Sequence, residues 1–317
     1  MHTAGPFDRP EWFALLAESG LEPFIIRDEE SGAAVALRRV NGRLEALTNW
    51  YSFIWRPHAP NSEAGQGGLA SIAQRLRGQS HRVTLRPVPD EDGSATRLAD
   101  AFASAGWRVE VTQCDANHVL EVKGRSFADY WSTRPGQLRA TVKRKAKHLS
   151  TQIVTVFDDT LWAQYEAIYA ASWKPTEGAP NMLRAFAEQE GAAGRLRLGF
   201  AFLDDTPIAA QFWTVENGIA YIHKLAHLAD RAELSAGTIL TATLAEHVID
   251  ADQVDLIDFG TGNDRYKADW MERVRPRYQI DCLDMAHPRA WIDLAKLAVS
   301  RTRATPFPKL ARMPRDS

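Results

Sequence analysis

Two histidines four residues apart, His223 and His227, lie in the strand-like segment AYIHKLAHL. Imidazole has an ordinary pKa of about 6.5 and accepts an amine proton at neutral pH. On a strand, an even separation puts both rings on one face, where they either line a common cleft or cover a sheet surface. A second group follows the strand-like VDLIDF, in DFGTGNDRYKADW over 258–270. Gly260 and Gly262 make a flexible loop that delivers Tyr266, Lys267 and Trp270 beyond a strand end. Tyr266 is a candidate proton donor, and Lys267 a candidate anchor for an anionic group or for developing negative charge. In the competing reading Tyr266 and Trp270, four apart on a short helix, are core anchors and Lys267 is solvated. Asp258 either orients Lys267 or caps the next turn. Between the two groups, Ser235-Ala236-Gly237-Thr238 opens a helix whose unpaired N–H groups and positive end suit a phosphate. There Gly237 allows close backbone approach, and Ser235 and Thr238 add hydroxyl donors. Alternatively, Ser235 only caps its own helix.

These groups need a scaffold, and the hydropathy pattern supplies one. FIIRDEESGAAVALRRVNGRLEALTNW from Phe24 reads as three short strands with turns at Ser31-Gly32 and Asn41-Gly42. Leu69, Ile72, Ala73 and Leu76 then fall at i, i+3, i+4 and i+7, a helical face, ahead of the strand-like HRVTLRPV. A helix over 94–105 and two strands near WRVEVTQC and HVLEV complete this half. The second half starts at Ser126, a helix N-cap, and continues through a basic helix, the strand TQIVTVF and helices near 160–173 and 181–190. A further three-strand meander follows (LRLGFAFLDD, PIAAQFWTVEN, AYIHKLAHL), with a turn at Asn217-Gly218. Next come a helix with Leu240, Leu244 and Val248 on one face and the strand VDLIDF. Meander, helix and strand thus occur twice, at about 24–88 and 196–259. GQGG at 65–68 has no preceding strand and no full G-x-G-x-x-G, so it reads as a loop. After 286 a helix runs through Trp291, Leu294 and Leu297 into a Pro- and Arg-rich end that is expected to fray.

Composition narrows the function. The 317 residues hold 38 Lys+Arg against 40 Asp+Glu, for a net charge of -2. This balance removes the electrostatic case for a dedicated nucleic-acid binder. Cys114 and Cys282 are far apart, which supports neither a disulfide framework nor a zinc site and fits a reducing cytoplasm. The N-terminus lacks signal-peptide character, and no run approaches the roughly 18 apolar residues of a membrane span. Asp258-Phe259-Gly260 repeats a kinase triplet, but the Gly-rich loop, strand lysine and HRD that would accompany it are missing. The spacing of acidic residues and glycine is not that of a calcium loop either.

Taken together, the doubled architecture, the basic helix, PIAAQFW, the KLAHL strand with its glycine-containing helix start, and DFGTGNDRYKADW resemble the GNAT acyltransferase superfamily. Within it they are most similar to the FemAB-related branch with the CelD-like proteins of cellulose biosynthesis. The motifs cover about 126–285, and the N-terminal half resembles a degenerate first unit. The resemblance implies a mixed α+β fold of two tandem GNAT-like units, each a mostly antiparallel mixed sheet flanked by helices. The expected division is 1–124, 125–286 for the acyltransferase domain, and 287–317 for a C-terminal helix and basic tail. It also implies acyl-CoA as co-substrate, no metal, pantetheine along the exposed edge of AYIHKLAHL and pyrophosphate at Ser235, Ala236, Gly237 and Thr238. Backbone amides of Lys224, Leu225 and Ala226 would polarise the thioester carbonyl, and an amine would attack directly. Tyr266 would then protonate the departing thiolate. The common GNAT loop, Gln or Arg followed by two residues and Gly-x-Gly or Gly-x-Ala, is replaced here by Glu233-Leu234-Ser235-Ala236-Gly237.

Arg139, Lys143 and Lys147 form a cationic stripe opposite Leu138, Val142 and Leu149. The 139–148 helix either presents a solvated face or attracts an acyl carrier protein, an anionic saccharide or tRNA. Three readings result: an acyl-CoA-dependent N-acyltransferase acting on an amine, such as an amino sugar or another polysaccharide or envelope precursor; an aminoacyl-tRNA-dependent transferase; and a non-catalytic binding module in polysaccharide biosynthesis.

Overall fold

The computed structural model describes residues 5–303. Residues 304–317, which carry the expected fraying end, lie outside them. In chain order the first elements are α1 (Pro10–Glu18), β1 (Pro23–Asp28), β2 (Ala33–Val40), β3 (Arg43–Ala46), α2 (Glu63–Leu76), β4 (Arg82–Val88), α3 (Ser94–Ser104) and β5 (Arg108–Glu121). Then follow α4 (Phe127–Ser132), α5 (Gly136–Lys145), β6 (Ser150–Val154), α6 (Asp159–Ala170) and α7 (Pro180–Ala192). The chain continues with β7 (Leu196–Leu203), β8 (Thr206–Glu216), β9 (Ile219–His227), α8 (Ala236–Glu246), β10 (Leu256–Thr261), α9 (Lys267–Trp270), β11 (Arg273–Leu283) and α10 (Pro288–Arg303). No helix among the described residues is long and apolar enough to cross a membrane.

By compactness the chain falls into two units that are discontinuous in sequence, where a single division near 124/125 is expected from the motifs. One comprises 1–23, 47–55 and 115–276, the other 24–46, 56–114 and 277–317. WRVEVTQC and HVLEV are not separate strands: β5 runs unbroken through both segments, and the division falls within it, after Cys114.

In the second unit β2 and β3 are antiparallel, β3 and β4 parallel, and β4 and β11 antiparallel. The turn into β3 places Asn41 and Gly42 at φ 49° and 75°, the left-handed pair that a tight hairpin requires. Leu69, Ile72, Ala73 and Leu76 are all buried along α2. GQGG is the first part of α2 and not a loop. A Cβ on Gly65 would lie 2.0 Å from the Pro60 carbonyl oxygen and one on Gly68 1.8 Å from Ser31 Oγ, so the glycines let this helix sit against neighbouring chain. The absence of a phosphate-loop pattern thus excludes that motif without making the segment a loop.

The first unit carries strands in the order β5, β10, β9, β8, β7, β6. All neighbouring pairs are antiparallel except β9 and β10. Meander, helix and parallel strand therefore recur, β1-β2-β3-α2-β4 and β7-β8-β9-α8-β10, as the sequence suggests. Leu240, Leu244 and Val248 share a core with Trp213, Ile222, Ile257 and Trp270. Ser126 caps α4 through a hydrogen bond from the Asp129 amide, with Asp129 returning the contact in a capping box.

Candidate active site

The parallel pair β9–β10 opens. Its register runs from Leu256↔Ile219 to Asp258↔Tyr221 and stops there, while β9 continues to His227. Two local distortions accompany the opening. On β9, Trp213 faces Ile222 and Phe212 faces Lys224, so His223 is an extra residue in a β-bulge. On β10, the register with β5 shifts between Asp258 and Thr261, where Gly260 adopts φ 69°. A Cβ on Gly260 would meet the Phe53 ring at 2.9 Å, which excludes any side chain without repacking.

The bulge reverses the face of everything after it, which corrects the expectation that His223 and His227 share a cleft. His223 sits among Phe7, Phe53, Phe186 and Phe212, with Nε2 2.8 Å from Thr214 Oγ1. His227 meets α8 instead, its Cδ2 3.3 Å from where a Gly237 Cβ would stand, and its ring packs on Trp173 at 4.2 Å. Burial, aided by the Lys224 and Arg9 charges, lowers the pKa of His223 to about 3. Such an imidazole stays neutral at neutral pH, enclosed by aromatic rings and bonded to Thr214.

Lys224, directed by the bulge, is buried under two aromatic rings, with Nζ 4.5 Å from the centroid of Tyr51 and 5.2 Å from that of Tyr169. It donates to Glu177 Oε1 at 2.9 Å, and Tyr51 Oη donates to the same oxygen at 2.6 Å. The Ala179 amide donates to Tyr51 Oη at 2.9 Å, so this cluster fastens the 171–179 segment to β9. Burial lowers the Lys224 pKa against the pull of Glu177. Burial and the Glu177 charge push the Tyr169 phenol up to about 12.

The loop after β10 is held rather than loose. Asp258 is buried and accepts from Asn117 Nδ2 at 2.6 Å and from the Gly260 amide at 2.8 Å. The Gly262 amide donates to Asp115 Oδ1 at 2.9 Å. Lys267 is 5% exposed, which removes the reading that leaves it in solvent. Its Nζ donates to the Thr261 carbonyl at 2.5 Å and lies 5.6 Å from the Phe259 ring. Burial lowers its pKa, opposed by Asp264, Asp258 and Asp115. Asp258 thus acts on Lys267 through its charge and on the Gly260 bulge through hydrogen bonds. Tyr266 is half-exposed, edge-on to Phe259, and burial of the phenol pushes it up to about 12. Trp270 joins the core, its carbonyl accepting from Tyr130 Oη at 2.8 Å.

At the start of α8, Ser235 adopts φ 55° and makes no side-chain cap. Its Oγ accepts from Lys145 Nζ at 2.9 Å, and the same ammonium donates to the Glu233 carbonyl. The basic helix α5 therefore delivers one cation to the helix start, while Leu138, Val142 and Leu149 pack on the core and Arg139, Lys143 and Lys147 stay exposed. Ala236 and Gly237 are buried and Thr238 is half-buried. Buried Gln211 of PIAAQFW donates to the Gly237 carbonyl at 2.8 Å and accepts from Trp213 Nε1 at 2.9 Å, which ties the helix start to β8.

The structure adds Lys145, Lys174, Glu177, Tyr51 and His118 to the residues chosen from sequence. His118 is 4% exposed on β5. Neither ring nitrogen makes a well-formed hydrogen bond, though Asn263 approaches, and burial followed by the Lys267 charge lowers its pKa. Neither cysteine forms a disulfide, and no group of three His, Cys, Asp or Glu among the described residues is placed to hold a metal.

Residues 136–268 match the family model described as an acetyltransferase (GNAT) domain. This stretch is similar to a GNAT domain, and the chain shares its mixed α/β fold with the solved structures that follow. Among solved structures, FemX superposes with a TM-score of 0.63 at 8% identity, over 93% of this chain and 98% of that one. L-PGS from Bacillus licheniformis gives 0.59 at 11% identity, over 95% and 98%. A conserved protein of unknown function from Bacteroides thetaiotaomicron gives 0.59 at 12% identity, over 86% and 89%. These likenesses are of fold. A comparison with curated proteins finds no match.

Proposed function

We propose that the protein is an N-acyltransferase that passes an acyl group from acyl-CoA to an amine, by direct attack on the thioester. The observation that carries this reading is the parting of β9 and β10 after Tyr221, beside a helix start that has no side chain at Gly237 and is supplied with a cation by Lys145. An extended pantetheine arm fits the edge of β9 from Ile222 to His227, and a pyrophosphate fits the positive end of α8. Beyond Tyr221 β9 keeps β8 on one side and has no β10 partner on the other. Along the amides of Lys224, Leu225 and Ala226, those that point to the opened side donate to the carbonyl oxygen as it gains negative charge. The amine nitrogen forms the new C–N bond and gives up a proton, the C–S bond breaks, and the leaving sulfur takes a proton from a donor that the released amine proton replenishes. Tyr266, half-exposed, is the proton donor in this scheme, and Lys267 holds negative charge close to it. The acceptor is an amino sugar or another precursor of an envelope polysaccharide, and the site works in the cytoplasm.

A second reading keeps the chemistry and changes the donor to an aminoacyl ester on tRNA, as in the FemAB-related branch that the sequence resembles. The exposed cations Arg139 and Lys143 on α5, the helix that sends Lys145 to the start of α8, and Lys147 just beyond its end favour it.

Calorimetric titration with acetyl-CoA, longer acyl-CoAs and free coenzyme A tests the first reading. Micromolar binding lost in Gly237→Trp, whose side chain would enter the space beside His227, is the expected result. Absence of heat with every acyl-CoA, together with salt-dependent tRNA binding weakened by charge reversal at Lys143 and Lys147, transfers the case to the second.

A further inference from the structure

Within the second unit, α10 is held in one rotation about its axis. Asp293 is buried, accepts from Arg43 Nη2 of β3 at 2.6 Å and meets His81 Nε2 at 3.2 Å. Ala290 is buried on the same side, and Leu294 and Leu297 are half-buried. Turning this carboxylate outward would leave its buried partners uncompensated, so the helix keeps that side inward. The opposite side then carries Trp291, Ala295 and Ala298 at i, i+4 and i+7, with Ile292 beside them, all exposed. Trp291 is 61% exposed and Ile292 57%. Trp291 Nε1 donates to the Met285 carbonyl at 3.2 Å, so the polar end of the indole is already satisfied and its apolar ring is what faces outward. Arg289 and Lys296 stand three residues before and four after Ile292, which puts both exposed cations along one edge of the apolar strip. Asp293, turned inward, is the one acid in α10. The basic character continues along the sequence: over 288–317 seven Lys or Arg stand against two Asp, in a chain whose net charge is -2.

We propose that α10 is an interfacial helix that seats the protein on a bilayer carrying anionic phospholipid. Trp291 and Ile292 enter the boundary between headgroups and acyl chains, while Arg289 and Lys296 meet the lipid phosphates. An apolar strip edged by cations, with no acid turned outward, matches a surface that offers both an apolar layer and negative charge. A second copy of the chain matches it less well. Two-fold docking of this face on itself would bring the cations of both copies together with no outward acid on either helix to pair them.

Flotation of the full-length protein with vesicles tests this, using phosphatidylcholine alone and phosphatidylcholine with about 30% phosphatidylglycerol. Binding to the anionic vesicles only, weakened at high salt, is the expected result. Trp291→Ser combined with Ile292→Ser should abolish it with the thermal midpoint unchanged, since both side chains are exposed. A cation near an anionic surface is worth about fivefold in partitioning, so Arg289→Gln with Lys296→Gln should lower the partition coefficient about 30-fold. No flotation with the anionic vesicles overturns the proposal, and so does flotation that survives the Trp291 and Ile292 substitutions undiminished. A dimer in light scattering that those substitutions dissolve, with no lipid binding, assigns the face to a second copy and overturns it as well.

Discussion

Removing the Glu177 charge should cost more than any surface ion pair in the molecule. Lys224 and Glu177 have side chains 6% and 13% exposed and meet at 2.9 Å. Breaking one partner of a buried pair costs about 3–5 kcal/mol, because the other charge is left without compensation. Glu177→Gln keeps an acceptor for Tyr51, so the lower end, about 3 kcal/mol, is expected. At an m-value of about 2 kcal/mol/M, that moves the urea midpoint down by about 1.5 M. Lys224→Met should cost less, since the remaining carboxylate still accepts from Tyr51 Oη. The double variant should be more stable than the sum of the two losses predicts, with a coupling of about 2 kcal/mol. Urea unfolding of the four proteins, followed by tryptophan fluorescence and far-UV circular dichroism, measures the cycle. Additive losses would refute the claim that this pair is a desolvated clamp on the 171–179 segment.

Two further outcomes follow. Gly260→Ala should destabilise by about 2–3 kcal/mol, from the left-handed backbone and the displaced Phe53 ring, and thermal unfolding checks it. Lys174→Met should stabilise the protein at pH 7. The depressed folded pKa makes the penalty complete below about 8 and relieves it as pH rises toward the ordinary 10.5. The full shift corresponds to about 3 kcal/mol and partial exposure reduces it to about 1–2 kcal/mol, read as a difference in denaturant stability that fades between pH 8 and 10.5.

Much of the fold can be read directly from the chain. Apolar alternation places the strands of both meanders, and the Asn-Gly turns at 41–42 and 217–218 take the positive φ values that such turns need. Other features depend on partners distant in sequence. Glu177 and Lys174 lie in the polar KPTEG stretch between two helices, where no periodicity marks them. Glu177 gains its meaning from Tyr51 and Lys224, 126 and 47 residues away. The bulge at His223 is invisible because HIS-LYS-LEU can alternate in either phase, yet it decides which face each histidine takes. In the same way Lys145 reads as one more cation in a basic run until α5 packs beside α8. Lys267 and Trp270 could be singled out from sequence, but which of them is core and which is a buried cation follows only from the fold.

The central claim is that a donor lies along the opened edge of β9 with its phosphates at the start of α8. Hydrogen–deuterium exchange of the protein with and without saturating acyl-CoA tests it most directly. The account predicts slower exchange at Ile222–His227 and at the amides of 236–238, with the β7–β8 ladder unchanged. Unchanged exchange at both segments, or protection confined elsewhere in the chain, would contradict it.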